Sequence, residues 1–257
     1  MEIHPTAVIT PGAELATEVD VGPQTIIGPH VRIGKGTKIG SKVVIEGHTV
    51  IGTNCRIYPF ACIGTAPQDL LYQGEPTRLE IGNDNIIREY TTINLGTVKG
   101  GGRTVVGDGN YLMAYGHIAH DCIVGDSVIM ANGASLAGHV IIEGHAILGG
   151  FVGVHQFAQI GSYAMVGGLS GVSMDIVPYA RAAGFRTKLY GLNSVGLKRH
   201  GFSDETIQKI RDVYKILFRS GLMLEEALAK IQDGFGEDPH VEHILEFVER
   251  SRRGICR

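Results

Sequence analysis

The sequence has no tryptophan, few other aromatic residues and no apolar run long enough to cross a membrane. Its 257 residues include 4 cysteines, and Phe, Tyr and Trp together make up 7%. A transmembrane helix needs about 20 consecutive apolar residues, so we expect no membrane span. The cysteines lack metal-site spacing, which indicates free thiols in a reducing cytoplasm. The repeats described below begin within ten residues of Met1, so we expect no signal peptide. The absence of tryptophan excludes nothing.

What the chain has in abundance is a six-residue repeat. An aliphatic residue occupies every sixth position through residues 9–63, 81–93 and 106–172. A small or β-branched residue often follows four positions later, and two inward positions per hexad fit a strand followed by a turn. Three hexads that close one triangular coil predict a parallel β-helix whose coils stack about 4.8 Å apart. A fixed period of this kind decides the architecture.

Two stretches interrupt the period, at residues 65–80 and 95–105. We expect both to project as loops, and insertions in a solenoid often gather on its binding face. The hexads fade after Pro178. We therefore predict a β-helix over residues 1–190 and a C-terminal helical domain over residues 191–257.

The C-terminal part carries helical signals and an excess of positive charge. Residues 203–217 have an apolar helical face and begin at Ser203, a favourable N-cap, and further helices are expected near 223–233 and 239–252. Nine basic and three acidic residues lie between positions 179 and 219, a net charge of +6. A solvated helix face is one interpretation, and a docking patch for an acidic partner or a phosphate is another. Without nucleic-acid motifs or interleaved aromatics, we expect no nucleic-acid partner.

Several histidines fall in register along the uninterrupted repeat. Residues eighteen apart stack on successive coils, which places Asp121 under His139 and brings His120, His139 and His155 to one edge, with His117 nearby. Such a cluster could bind zinc with an open water position. A neutral histidine could instead act as a general base. The spacing leaves both chemistries open.

Longer motifs resemble one enzyme family over essentially the whole chain. They are GHIAHDC (116–122), LAGHV (136–140), VHQF (154–157), GLKRHGF (196–202), QDL (68–70), GEPTRLEIG (74–82) and GTVKGGG (96–102). These motifs resemble those of the acyl-carrier-protein–UDP-N-acetylglucosamine O-acyltransferases. The resemblance implies a left-handed parallel β-helix, a homotrimer with active sites between subunits, and no metal or cofactor. It also implies transfer of an (R)-3-hydroxyacyl group from acyl carrier protein to the sugar 3-hydroxyl, the first step of lipid A biosynthesis.

The resemblance also implies roles for individual residues. His120 would be the general base, Asp121 would orient it, and the Gly138 N–H would stabilise the oxyanion. The substrate-binding positions implied are Asp69 for the glucosamine, His117 and His139 for substrate positioning, His155 and Gln156 for the acyl and pantetheine path, Gly168 for acyl length, and Asn193 and Arg199 for the nucleotide or phosphates. The carrier protein would be the acidic partner of the basic segment.

Some positions depart from the common family pattern. Leu71 and Val195 stand where a lysine and a glutamate are frequent, His200 replaces an arginine, and Asn94 and Leu95 replace His-Arg. The acceptor could therefore be a 3-amino analogue of the sugar nucleotide. Three other hypotheses remain: a zinc hydratase of the γ-carbonic anhydrase type, a different hexapeptide acyltransferase, and a non-catalytic scaffold.

Overall fold

The computed structural model describes residues 2–257, and the hexads form three β-sheets that run along the β-helix. Strands of the first sheet are Glu2–Ile3, Asp20–Val21, Lys38–Ile39, Arg56–Ile57, Ile86–Ile87, Tyr111–Leu112, Ile129–Met130, Ile147–Leu148, Met165–Val166, Ala180–Ala183 and Lys188–Leu192. Those of the second are Val8–Ile9, Ile26–Ile27, Val44–Ile45, Cys62–Thr65, Thr92–Asn94, His117–Ile118, Ser135–Leu136, Gly153–Val154 and Gly171–Val172. Those of the third are Glu14–Leu15, Arg32–Ile33, His48–Ile51, Arg78–Ile81, Arg103–Val106, Ile123–Val124, Ile141–Ile142 and Gln159–Ile160.

Successive coils pair in the register that the hexads predict. In the second sheet His117 pairs with Ser135 and Ser135 with Gly153, steps of eighteen residues. The aliphatic markers form the core, and Ile118 and Leu136 are fully buried. Each such side chain contributes about 1.5–3 kcal/mol relative to an exposed one. The predicted parallel β-helix is thus confirmed.

The corner between the second and third sheets carries unusual backbone. Asp121, His139 and Phe157 follow one another up this corner with φ of 60°, 63° and 65°. A non-glycine residue in this left-handed region costs about 1–2 kcal/mol. The coil requires the conformation because the chain must turn sharply from one sheet into the next. It stacks these three side chains along a single edge.

Both insertions leave the β-helix at this same corner. The first runs from Thr65, the end of a second-sheet strand, to Arg78, the start of a third-sheet strand, and the second similarly joins Asn94 to Arg103. The flanks of both interruptions pair as strands, with Arg78–Ile81 in register against Arg103–Val106. The projecting parts are therefore residues 66–77 and 95–102, shorter than the interruptions in the hexads. The second contains a 3-10 helix over Val98–Gly100.

The C-terminal part begins with an antiparallel hairpin of Ala180–Ala183 and Lys188–Leu192. Four α-helices follow, α1 Ser194–Arg199, α2 Asp204–Arg219, α3 Leu224–Phe235 and α4 Pro239–Arg250. Helices α2 to α4 confirm the three predicted from the sequence, and the Ser203 hydroxyl accepts a hydrogen bond from Thr206 N at 3.0 Å as the expected N-cap.

The short α1 was not predicted, because most of its side chains are exposed or half-buried and it lacks an apolar face of useful length. A domain boundary at residue 190 stays a prediction. No helix within residues 2–257 is long and apolar enough to span a membrane.

Candidate active site

A histidine and a buried aspartate form a hydrogen-bonded pair at the corner described above. His120 Nδ1 lies 2.8 Å from Asp121 Oδ2, and the Asp121 side chain is 0% exposed. Burying a carboxylate is costly unless its oxygens are hydrogen-bonded. Thr97 supplies two donors from the second insertion, its N–H to Oδ1 at 2.7 Å and its hydroxyl to Oδ2 at 2.6 Å. Asp121 can therefore orient the imidazole so that Nε2 points away from the carboxylate.

Two further histidines face this pair. The His139 ring meets the His120 ring edge-on with centroids 5.1 Å apart, and its Nδ1 is 3.8 Å from Asp121 Oδ2. His117 Nδ1 lies 2.7 Å from the Thr92 hydroxyl. Phe157, rather than His155, continues the stack, with its ring 4.4 Å from that of His139. The predicted edge is confirmed for His120, Asp121 and His139.

Burial keeps the flanking histidines neutral. It lowers the pKa of His117, and the nearby charge of His120 acts in the same direction. Burial also lowers the pKa of His139, against the opposing carboxylates of Asp121 and Asp69. The negative charge of Asp69, from the first insertion, is the smallest of the influences on the His139 pKa and acts to raise it. The lowered pKa values favour the uncharged form of both flanking rings, in which they can still act as hydrogen-bonding groups.

Gly138 lies against the His120 ring, one coil further along the β-helix. An ideal Cβ on Gly138 would be 2.5 Å from His120 Cε1 and 2.7 Å from Nε2. Pro11 and Pro29 occupy the equivalent turn position at this corner in other coils, so the coil does not need an N–H there. Among residues 2–257 the Gly138 N–H has no main-chain partner. A backbone donor therefore remains unused beside Nε2 of the histidine.

A shallow groove of about 700 Å³ extends from His117 along the outer face of the second sheet. Its floor includes Gly153, where a Cβ would meet no atom of residues 2–257 within 4 Å, and Gly171. His155 lines the same groove, and Phe185 closes its far end. The groove can accommodate an extended apolar chain whose reactive end lies near His120.

Comparison with known proteins agrees with this geometry. A model described as UDP-N-acetylglucosamine O-acyltransferase, domain 2, matches residues 175–256, and the bacterial transferase hexapeptide model matches residues 30–65. The acyl-[acyl-carrier-protein]–UDP-N-acetylglucosamine O-acyltransferase of Thermodesulfovibrio yellowstonii is 57% identical over 256 residues, covering 100% of this chain and 99% of the relative. The chain belongs to this acyltransferase family.

Solved structures of family members superpose closely on the chain. The UDP-N-acetylglucosamine O-acyltransferase of Moraxella catarrhalis gives a TM-score of 0.97 at 44% identity, with 100% of both chains covered. The corresponding structure from Acinetobacter baumannii gives 0.97 at 46% identity, with 99% of both chains covered. The superposition extends over the β-helix, both insertions and the C-terminal helices.

The acyltransferase fold does not bring all predicted site residues together within one chain. Gly168 lies at a different corner, stacked on Gly150 with its ideal Cβ 3.1 Å from Gly150 O. Asn193 caps α1 and donates to Tyr163 O at 3.0 Å. Arg199 is exposed in the last turn of α1. Gln156 is exposed next to His155, whose Nδ1 lies 3.1 Å from Gln156 O.

The same cluster also offers donor atoms to a metal. Ligand atoms of His120, Asp121 and His139 lie within 4.8 Å of one another. Zinc requires its ligands to converge at about 2.0–2.2 Å from one point. Here Asp121 Oδ2 already accepts the Thr97 hydroxyl and lies 3.8 Å from His139 Nδ1. The donor set would have to rearrange to close around an ion, whereas it is already arranged to orient His120.

Two threonines that contact Asp121 were missed in the sequence, Thr97 in the second insertion and Thr104 in the strand Arg103–Val106 that follows it. Thr97 binds the Asp121 carboxylate, and the Thr104 hydroxyl accepts from Asp121 N at 2.8 Å. The GTVKGGG motif placed residue 97 in a family loop, but the hexad register does not extend into the loop. The contact of that loop with Asp121 therefore had no signal in the repeat.

Proposed function

We propose that the chain transfers an (R)-3-hydroxyacyl group from acyl carrier protein to the 3-hydroxyl of UDP-N-acetylglucosamine, the first step of lipid A biosynthesis. The observation that carries the proposal is the His120–Asp121 pair, at 2.8 Å, with Gly138 against the His120 ring and with the neighbouring His117 lining an apolar groove. Those features supply a base, an oxyanion donor and an acyl site in one place. The T. yellowstonii relative bears the name of this activity.

His120 acts as the general base in this mechanism. Its Nδ1–H donates to Asp121, which leaves Nε2 as the acceptor for the proton of the sugar hydroxyl. The sugar oxygen then attacks the thioester carbonyl to form a tetrahedral intermediate. On collapse, the carbon–sulfur bond breaks and the imidazolium returns the proton to the pantetheine thiolate. General base catalysis of this kind contributes about 10²–10⁴ in rate.

Gly138 stabilises the charge that develops on the carbonyl oxygen. Gly138 is in contact with the imidazole and its N–H has no main-chain partner, so this donor serves the oxyanion while Nε2 serves the nucleophile. Removing such a donor costs about 10²–10³ in rate. The position tolerates only glycine, since a Cβ would displace the base.

The remaining polar groups position the substrates. Asp69 binds the glucosamine, and neutral His117 and His139 hydrogen-bond to it without adding charge. His155 and Gln156 line the path of the acyl and pantetheine chains. The acyl chain lies on Gly153 and Gly171, where missing side chains leave the groove open.

The active enzyme is a cytoplasmic homotrimer with sites between subunits. Asn193 and Arg199 lie on α1 and Gly168 on another corner, so a neighbouring subunit supplies them to the His120 site. A subunit-mixing experiment tests this arrangement. Co-assembled His120→Ala and Arg199→Ala chains, each inactive alone, recover part of the activity if sites are shared. No recovery in verified mixed trimers would contradict it.

The carrier protein docks on the basic C-terminal segment. Arg211, Lys215 and Arg219 of α2 line a cavity of about 350 Å³ with Arg257. Acyl carrier proteins present acidic surfaces, and clustered positive charge increases the association rate of an acidic partner. Arg219→Glu should raise KM for the acyl carrier protein while leaving KM for the sugar nucleotide unchanged. An equal effect on both substrates would contradict docking at this site.

The 3-amino sugar nucleotide is the alternative acceptor. Buried Asn94 donates to Thr65 Oγ1 at 2.8 Å and to Ala66 O at 3.1 Å, and its Oδ1 has no partner within residues 2–257. This asparagine departs from the family pattern near the site. The amine nitrogen attacks the thioester carbonyl through the same geometry, the carbon–sulfur bond breaks on collapse, and His120 accepts the amine proton and returns it to the thiolate in the same way.

Mass spectrometry of products tests the reaction and the acceptor together. The protein receives either sugar nucleotide with a panel of 3-hydroxyacyl carrier proteins, beside His120→Ala and the control His48→Ala, which removes a histidine that stacks on His30 three coils below Asp121. We expect a 3-hydroxyacyl product that is lost only in His120→Ala. Activity retained in that variant would end the proposal, and zinc-dependent hydration would then be assayed against metal content.

A further inference from the structure

The second insertion contacts the site through one residue that bonds both oxygens of the buried carboxylate. Thr97 caps the 3-10 helix Val98–Gly100, and its Oγ1 accepts from Gly100 N at 3.2 Å. From there its N–H reaches Asp121 Oδ1 at 2.7 Å and its hydroxyl reaches Oδ2 at 2.6 Å. Thr97 is only 6% exposed. These hydrogen bonds form away from water, where they are strong.

Asp121 has no freedom to rotate in this arrangement. The two donors of Thr97 fix the plane of the carboxylate, and the remaining lone pair of Oδ2 faces His120 Nδ1 at 2.8 Å. The backbone is fixed as well, since Asp121 N donates to Thr104 Oγ1 at 2.8 Å. The second insertion thus restrains the side chain of the residue that orients the base, and the strand Arg103–Val106 that follows the insertion restrains its main chain.

The loop approaches so closely that only glycine fits at its next contact. An ideal Cβ on Gly100 would overlap the Asp121 carboxyl group. Gly101 ends the 3-10 helix with φ of 99°, a conformation that L side chains rarely adopt. The sequence from Thr97 to Gly101 is therefore shaped around Asp121.

We propose that Thr97 is a positioning residue that acts through Asp121 on His120, the third member of a hydrogen-bonded relay. The inference rests on the proposed function, in which His120 is the base. The hydrogen of the Thr97 hydroxyl sets which lone pair of Asp121 Oδ2 is available to His120 Nδ1. That lone pair determines the direction of the imidazole and therefore of its acceptor atom Nε2. Without the hydroxyl, the carboxylate can turn about its Cβ–Cγ bond and the base loses its alignment with the attacking oxygen.

Removing the hydroxyl also changes the charge available to His120. Oδ2 would then carry more negative charge toward Nδ1–H, and the imidazolium would give up its proton less readily. The acid limb of the kcat/KM profile should move to higher pH. The other titratable groups that face His120 are His117 and His139, with Asp69 acting on His139; none is altered by the substitution.

Three substitutions at Thr97 separate the hydroxyl from the volume of the side chain. Thr97→Val keeps the shape and the backbone N–H, Thr97→Ala removes both the hydroxyl and the methyl, and Thr97→Ser keeps the hydroxyl. Thr37→Val is the matched control, because Thr37 is fully buried, donates to Gly52 O at 2.9 Å and accepts from Cys55 N at 3.1 Å. The coil that contains Thr37 lies far from the site, so Thr37→Val measures how the loss of a buried hydroxyl by itself affects activity.

We expect Thr97→Val and Thr97→Ala to lower kcat about 10–100-fold, within the range for a misaligned base. KM should change less than about threefold and the acid limb should move to higher pH, with Thr97→Ser and Thr37→Val near wild type. Wild-type kcat and an unmoved pH profile in Thr97→Val would overturn the relay. So would equal losses in Thr97→Val and Thr97→Ser, or a loss confined to KM.

Failure of the relay can be told apart from failure of the proposed function. If His120→Ala is inactive while Thr97→Val is normal, only the relay is wrong. If His120→Ala retains activity, the base assignment fails first. Should Thr97→Val not fold, Thr97→Ala against Thr97→Ser gives the same comparison of hydroxyl with no hydroxyl.

Discussion

Replacing Asp121 by asparagine changes one atom of the proposed site and has a calculable effect. The carboxylate accepts three hydrogen bonds, two from Thr97 and one from His120 Nδ1. An amide offers one acceptor oxygen and one donor nitrogen in the same volume. If the nitrogen replaces Oδ2, it faces His120 Nδ1 and the Thr97 hydroxyl; the hydroxyl can rotate to accept, but Nδ1 must also accept, the ring proton moves to Nε2, and the general base is lost. If the nitrogen replaces Oδ1, it opposes the Thr97 backbone N–H, which cannot accept, at a cost of about 1–3 kcal/mol.

The first arrangement avoids the buried conflict, so the histidine is held in the wrong tautomer. We expect kcat to fall about 10²–10⁴-fold, the range seen when an orienting aspartate becomes asparagine in a base–carboxylate pair. That range corresponds to about 2.7–5.5 kcal/mol of transition-state stabilisation. The melting temperature should fall only slightly, since the side-chain volume is retained.

Product formation by mass spectrometry under single-turnover conditions measures the loss. Asp126→Asn is the matched control, because exposed Asp126 uses Oδ1 to accept from Asp108 N at 2.7 Å, a bond that an amide oxygen can make equally well. The control should keep wild-type activity. Asp121→Asn with activity within about threefold of wild type would refute the orienting role of Asp121.

Other predictions concern the turn, the thiols and the pH dependence of stability. Gly138→Ala should lower kcat at least about 100-fold, because the added Cβ would lie 2.5 Å from His120 Cε1. Gly234→Ala in helix α3 is the control, because a Cβ added there would meet no other part of residues 2–257 within 4 Å. Equal activities of the two variants would contradict the contact between Gly138 and His120. Burial raises the pKa of the Cys122 thiol to about 12, so it should resist thiol reagents at pH 8 until denaturant is added. Burial lowers the pKa of His145 below its usual value. Below about pH 6.5 the unfolded chain therefore binds more protons than the folded chain, so the melting temperature should fall on acidification. The fall should be less steep in His145→Gln.

The repeat determines much of this protein without help from distant contacts. The inward-facing residues can be identified within each hexad, and each coil packs on the next. The register of neighbouring strands therefore follows from counting eighteen residues. That arithmetic placed Asp121 beneath His139 and brought His120 to the same edge. Helices α2 to α4 could also be predicted from local sequence, since their capping residues and apolar periodicity lie within or next to the helices themselves.

The tertiary structure decided what the repeat does not encode. The contact of Thr97 with Asp121 joins residues 24 apart across an insertion, and a loop that leaves the hexad register has no period from which to infer its path. Phe157 is different, because it lies eighteen residues after His139 and the repeat alone places its ring against that of His139. Gly168, Asn193 and Arg199 lie away from the His120 edge because chain order does not fix which surfaces of a solenoid face the same site. Nearest-neighbour packing makes the coil predictable, whereas hydrogen bonds between an insertion and the coil depend on the folded path of the whole chain.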